Sequence, residues 1–242
     1  MPLKIKGEIS HTDAPKKARP AKTKSLATKP RTDSTAADGR RDGIKVIAFD
    51  FDGTLTYTDS FVAFLAYASG RLKMGTAFLK DPGLLTGYLK TKDRGALKSR
   101  LLYKLLGAIS QNELEILIRS YVATTGMSLF RPDALEAWGA HDLPDRQRVI
   151  VTASPQLLVA PFGALIGADR VIGTRLGFSA DGRLLPDLDG INCRGEEKMR
   201  RLRETFGADL DLEAAYGDTT GDAEMIAAAR HGHYRVFVQK GK

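Results

Sequence analysis

Two aspartates one residue apart, Asp50 and Asp52, close an apolar run in the stretch IKVIAFDFDGTLT at 44–56. A second acidic pair, Asp218 and Asp222, follows another apolar run, in GDTTGD at 217–222. A core strand gains nothing from charge at its end, so these carboxylates need a chemical reason. In an open parallel sheet, ligands sit outside the carboxyl ends of the strands, which is where all four aspartates fall. Converging there, they repel one another strongly unless a cation lies among them. Hard oxygen donors of this kind suit Mg²⁺, which is usually held by one or two carboxylates, waters and a substrate phosphate. Lys198, opening a helix after CRGEE, offers a compensating charge, and Thr152-Ala-Ser-Pro ends a further apolar run at the same sheet edge.

The elements that must position these residues are legible as alternating patterns. Short apolar runs at 148–152, 169–173, 213–217 and 234–238 read as strands, joining the one that starts at 44. Helices are expected at 59–70, 155–166, 195–206 and 222–230, with Ser154 as the cap of the second and Pro155 at its first position. Strands alternating with helices predict an α/β fold, a parallel sheet with helices on both faces. Asp181-Gly182, flanked by apolar residues, predicts a hairpin. From 71 to 125 the pattern stays helical, clearest where Leu97, Leu101, Leu105 and Ile109 recur every four residues. Ser110 and Glu113 form a capping box for the helix after it. The parallel core is thus interrupted after its first strand by about 70 residues of helix.

Composition limits the remaining choices. A chain of 242 residues, 43% hydrophobic, can bury one sizeable core. The single cysteine, Cys193, excludes an internal disulfide and fits a reducing, cytoplasmic compartment; nothing around it marks it as reactive. No apolar run is long enough to span a bilayer, and the charged, proline-rich start does not read as a signal peptide. The net charge of +8 is local. Residues 1–43 carry 11 Lys/Arg against 5 Asp/Glu and read as a disordered tail, while 71–106 carry 9 against 2. The histidines His11, His141, His231 and His233 show no ligand spacing.

At these residues the sequence resembles the haloacid dehalogenase superfamily of phosphohydrolases over 44–238, with four motifs in order. Asp50-Phe-Asp-Gly-Thr-Leu-Thr matches the first, Thr152 the second, Lys198 the third, and Gly217-Asp218-Thr-Thr-Gly-Asp222 the fourth. The resemblance implies a Rossmann-like catalytic core at 44–56 and 133–242 with an α-helical cap at 57–132. The interval from Asp50 to Thr152 is the only one between motifs with room for such an insert. It implies Asp50 as nucleophile, forming an aspartyl-phosphate, and Asp52 as the acid that protonates the leaving oxygen and then the base that activates water. Asp52 matters because family members that cleave carbon–halogen bonds lack that second aspartate. Thr152 and the N–H groups after it, from Ala153 on, together with Gly53, would hold the phosphoryl oxygens, with Lys198 neutralising charge as it develops. Mg²⁺ would be held by Asp50, the main-chain carbonyl of Asp52, and Asp218, with Asp222 ligating it or orienting water.

The helical insert places the chain near the subgroup of phosphoserine phosphatase and bacterial phosphatidylglycerophosphatase. Asp59 stands where phosphoserine phosphatases carry a glutamate that contacts the substrate amine, a departure that weighs against phosphoserine. The basic insert, interleaved with Phe78, Leu79, Leu84, Leu85, Tyr88 and Leu89, instead suggests a phosphatase at an anionic membrane surface, acting on a lipid-linked phosphate monoester. A small-metabolite phosphatase, a phosphotransferase and a non-catalytic module remain as alternatives; nucleic acid is not expected as a partner.

Overall fold

In the computed structural model, residues 43–69 and 94–237 are described. All but the last residue of the tail expected at 1–43, and the apolar residues expected between Phe78 and Leu89, lie outside them. Five strands form a wholly parallel sheet in the order β3-β2-β1-β6-β7: β1 Lys45–Phe49, β2 Arg146–Pro155, β3 Arg170–Thr174, β6 Leu212–Gly217 and β7 His231–Tyr234. β4 (Leu176–Phe178) and β5 (Leu184–Leu188) pair antiparallel around Gly182, whose φ of +74° suits the expected turn.

The apolar runs make central strands because both faces of the sheet are covered. Successive side chains of a strand point to opposite faces, and β1 divides accordingly. Ile47 and Phe49 join one buried cluster with the helices α1 (Ser60–Ser69), α2 (Arg94–Leu106), α3 (Gln111–Thr125), α4 (Pro132–Ala140) and α5 (Gln156–Leu165). Val46 and Ala48 join a second cluster with α6 (Glu196–Phe206) and α7 (Ala223–Ala228). Phe49 is fixed further by stacking on Tyr216 with ring centres 4.1 Å apart and by the edge of Trp138 at 5.1 Å.

Helices α1, α2 and α3 lie between β1 and β2 in the chain, and α2 and the start of α3 lean on the β4–β5 hairpin. The Gln111 N–H donates to Gly182 O and the Leu184 N–H to Ile109 O, each at 2.9 Å. The capping box of α3 is present in both directions, between Ser110 and Glu113.

Two expectations need correction. The last strand is His231–Tyr234, not 234–238. Among the described residues β7 is an edge strand that pairs only with β6, so register rather than hydrophobicity selects it. Arg235 then leaves at a φ of +54°, and Phe237 packs on Tyr216 instead of extending the ladder. Second, Ser154 does not cap the following helix. β2 runs on through Pro155, α5 starts without a side-chain cap, and the Ser154 hydroxyl turns toward Asp52.

Candidate active site

Asp50 and Asp52 leave the end of β1 in different directions. Asp50 is buried, and its Oδ1 accepts a 2.6 Å hydrogen bond from Lys198 Nζ. Asp52 Oδ1 accepts from the Ser60 N–H at 2.7 Å, at the start of α1, and its Oδ2 accepts from the Ser154 hydroxyl. Gly53 follows at a φ of +84°; a Cβ there would lie 2.3 Å from an Asp218 carboxylate oxygen. The chain can turn beneath Asp218 only because this residue has no side chain.

Lys198 sits in the first turn of α6 and is 1% exposed. Besides Asp50 it donates to Asp222 Oδ1 at 2.6 Å and to Val151 O at 2.7 Å, which satisfies all three protons of its ammonium. Burial alone would lower its pKa, but Asp50 and Asp222 raise it, so it stays charged. Burial likewise acts to raise Asp222, yet Lys198 and the donors of Thr219 hold it below the usual carboxylate range. Asp50 differs: burial pushes its carboxyl up to about 7 despite Lys198, helped by the charges of Asp222 and Asp52. Asp218 is raised by burial and by Asp222. One lysine therefore leaves the cluster short of positive charge.

Carboxylate oxygens of Asp50, Asp218 and Asp222 all lie within 4.8 Å of one another. This all-oxygen set of three suits a hard divalent cation. Asp222 is the most engaged member, with Oδ1 on Lys198 and Oδ2 accepting from the Thr219 N–H and hydroxyl, both at 2.9 Å. Among the described residues, the Asp218 carboxylate takes only a long 3.3 Å hydrogen bond from Thr54, leaving its oxygens the least committed.

These groups surround a cavity of about 280 Å³ at the carboxyl ends of β1, β2 and β6. The structure brings Asp50, Asp52, Gly53, Asp59, Thr152, Ala153, Lys198 and Asp222 to its lining. Asp218 is not among the lining residues and meets the others through the carboxylate cluster. Thr152 is buried, and its hydroxyl accepts the Ser154 N–H at 3.0 Å, which shapes the loop at the end of β2. Asp59 has two tasks of its own: Oδ1 caps α1 through the N–H groups of Phe61 and Val62, and Oδ2 pairs with Lys98 at 3.1 Å.

Sequence reasoning missed Lys98, Ser154 and Arg194, which also line the cavity. Lys98 comes from α2, more than 40 residues after Asp52, and also reaches Ser154 Oγ at 3.4 Å. Nothing in an amphipathic helix marks which lysine faces a site; the adjacency exists only once α2 folds over the sheet. Ser154 carried a visible signal, two residues past Thr152, but its neighbour Pro155 gave it the appearance of a cap. Cys193 is fully buried and burial pushes its thiol up to about 11, in keeping with an unreactive side chain.

The family profile described as haloacid dehalogenase-like hydrolase matches residues 47–227. The chain belongs to this family. The matched span of this haloacid dehalogenase-like hydrolase contains every aspartate of the site together with Thr152 and Lys198. Protein CicA of Caulobacter vibrioides (strain NA1000 / CB15N) is 48% identical over 193 residues, covering 79% of this chain and 86% of that protein. A "Probable phosphatase" of Mycobacterium tuberculosis (strain ATCC 25618 / H37Rv) is 31% identical over 121 residues, covering 47% of this chain and 42% of that one. Among solved structures, a protein of unknown function from Bordetella pertussis Tohama I superposes with a TM-score of 0.63 at 22% identity, covering 76% of this chain and 87% of that one. A phosphoserine phosphatase structure holding an analogue of the phospho-aspartyl intermediate superposes with a TM-score of 0.50 at 20% identity, over 77% and 83%. Both structural likenesses concern the fold. No helix among the described residues of this hydrolase is long and apolar enough to cross a membrane.

Proposed function

We propose that this hydrolase is a phosphomonoester phosphatase working through an aspartyl-phosphate on Asp50. The observation that carries the reading is the division of labour between two neighbouring carboxylates: Asp50 bound by Lys198, Asp52 bound by Ser60 and Ser154, both lining one cavity. Family membership and the phosphatase named among the relatives support it.

An Asp50 oxygen attacks phosphorus while the bond to the leaving oxygen breaks. Asp52 gives its proton to that oxygen. Burial, together with the charge of Asp59, raises the Asp52 pKa, which favours the protonated form this step needs. Water then attacks the phosphorus, Asp52 takes back a proton, inorganic phosphate departs and the Asp50 carboxylate is restored. Lys198 offsets negative charge through both displacements. Asp50 and Asp218, with the Asp52 carbonyl and Asp222 beside them, would hold Mg²⁺; when bound, the ion neutralises carboxylate and phosphoryl charge.

The test is hydrolysis of an aryl phosphate by purified protein with Mg²⁺. The expected outcome is turnover that EDTA removes and that falls by about 10³-fold or more in Asp50→Asn, the scale of losing a covalent nucleophile. Robust turnover by Asp50→Asn refutes the nucleophile assignment.

For the physiological substrate, we infer a lipid-linked phosphate monoester presented at an anionic surface. The support is the basic balance of 71–106. Within it, Lys98 and Arg100 pair with Asp59 and Asp187, so neither is counted toward that attraction. Co-sedimentation with anionic, but not neutral, liposomes is expected; equal and negligible binding to both ends the idea.

A further inference from the structure

Among the described residues, three cations line the cavity, and they differ in what balances them. Lys198 is neutralised by Asp50 and Asp222. Lys98, from α2, is paired with Asp59. Arg194 is exposed and hydrogen-bonds a neutral hydroxyl, its Nη2 donating to Thr220 Oγ1 at 2.9 Å. Among the described residues no carboxylate stands within ion-pairing distance of it.

Arg194 is nevertheless not a loose surface side chain. Its own N–H donates to Asn192 O at 2.8 Å, and the N–H of Gly195 donates to Gly221 O at 2.9 Å. Its stem and Nε lie so close over Gly221 that a Cβ there would come within 2.7 Å of them. The loop before it is pinned to the core at three points: Asn192 Oδ1 and the Cys193 N–H both meet the Thr174 hydroxyl, at 2.9 and 3.0 Å, and Arg201 Nη2 donates to Ile191 O at 2.6 Å. A planar fork of donors is thus held ready in an exposed part of the lining, where binding an anion costs little ordering. Lys198, fully buried, already serves the reacting end, and the lining also includes the polar residues Tyr57, Thr58, Lys98 and Asn192.

The geometry points to Arg194 as a specificity-determining residue that binds a second anionic group, carboxylate or phosphate, on the leaving-group side of the phosphate monoester. This rests on the phosphatase reading for the term "leaving group", but binding can be measured without turnover.

The test uses a matched pair, 3-phosphoglycerate and glycerol 3-phosphate, which differ by a carboxylate in place of a hydroxymethyl group. Affinities for both are measured by calorimetry, with Mg²⁺, on Asp50→Asn and on Asp50→Asn with Arg194→Ala. The expected result is a preference for the carboxylated ligand that falls about 10-fold or more on loss of Arg194, the scale of a charged hydrogen bond. Arg194→Lys, keeping charge without the fork, restores part of it. An unchanged preference, or an equal loss of affinity for both ligands, overturns the assignment; the latter would place the guanidinium on the reacting phosphate. A parallel arm with vesicles containing phosphatidate or phosphatidylglycerophosphate shows whether the second anion belongs to a lipid headgroup. Turnover by the wild-type protein is scored separately: its absence refutes the phosphatase reading and leaves the affinity ratio to decide this one.

Discussion

The chemistry of this site depends on where individual side chains stop and others are missing. Asp50 and Asp52 share a chain segment but not partners, because the turn after β1 rotates the second toward Ser60 and Ser154. That turn depends on Gly53. A methyl group there would meet the Asp218 carboxylate at 2.3 Å and would also have to tolerate a φ of +84°. Gly53→Ala is therefore expected to displace Asp218 and lower kcat/KM by about 100-fold, with a fold retained by circular dichroism. Full activity in that variant would show that Asp218 need not stand where it does. Residue by residue, the aspartates of the site, Thr152 and Lys198 could be singled out in the sequence because each ends or begins an element at the same sheet edge. Lys98 and Arg194 could not, because their relation to the site comes from tertiary folding and lies in no local pattern; Ser154 was visible beside Thr152, but Pro155 made it look like a helix cap.

Elements are held in register by a second set of charges that takes no part in the chemistry. Glu197, next to Lys198 on α6, is buried and accepts from Arg200 at 2.6 Å through both oxygens and from Arg201 Nε at 2.7 Å. Arg201 in turn donates to the carbonyls of Gly173 and Ile191, tying α6 to β3 and to the loop that carries Arg194. These contacts aim Lys198. Hydrogen bonding from Arg200, then Arg201, outweighs burial and holds the Glu197 carboxyl down to about 2, from 4.5. A carboxyl depressed in the folded state contributes stability that is complete above the unfolded value and is lost as pH falls through the folded one. Wild-type protein should accordingly lose stability between about pH 4.5 and 2 through this residue. Glu197→Gln is expected to lose about 3 kcal/mol at neutral pH by denaturant unfolding and to show a flatter acid profile, because it leaves buried Arg201 without its charge partner. A variant as stable as wild type would remove Glu197 from this role. The strands and helices were largely readable from their apolar periods; β7 was not, since an edge strand of sequence HGHY is chosen by pairing with β6 and carries no hydrophobic signal.

At the scale of the whole molecule, the doubly covered sheet delivers four carboxylates to one edge, and the helices after β1 close over them. The alternation of elements made that architecture visible in advance, whereas the clasp between α2, α3 and the β4–β5 hairpin depends on contacts between distant segments. Gathering these charges costs stability that a bound cation would return. Mg²⁺ should raise the thermal midpoint by several degrees by binding the folded state alone, and Asp218→Asn should abolish most of that gain. A midpoint indifferent to Mg²⁺ would contradict the reading of the cluster. The covalent role proposed for Asp50 can be tested more directly. Protein mixed with a rapidly hydrolysed aryl phosphate, quenched in acid and mapped by mass spectrometry should carry one phosphoryl group on the peptide containing Asp50, removable by hydroxylamine and missing in Asp50→Asn. Turnover with no such adduct, or with the phosphoryl group on another residue, would contradict it.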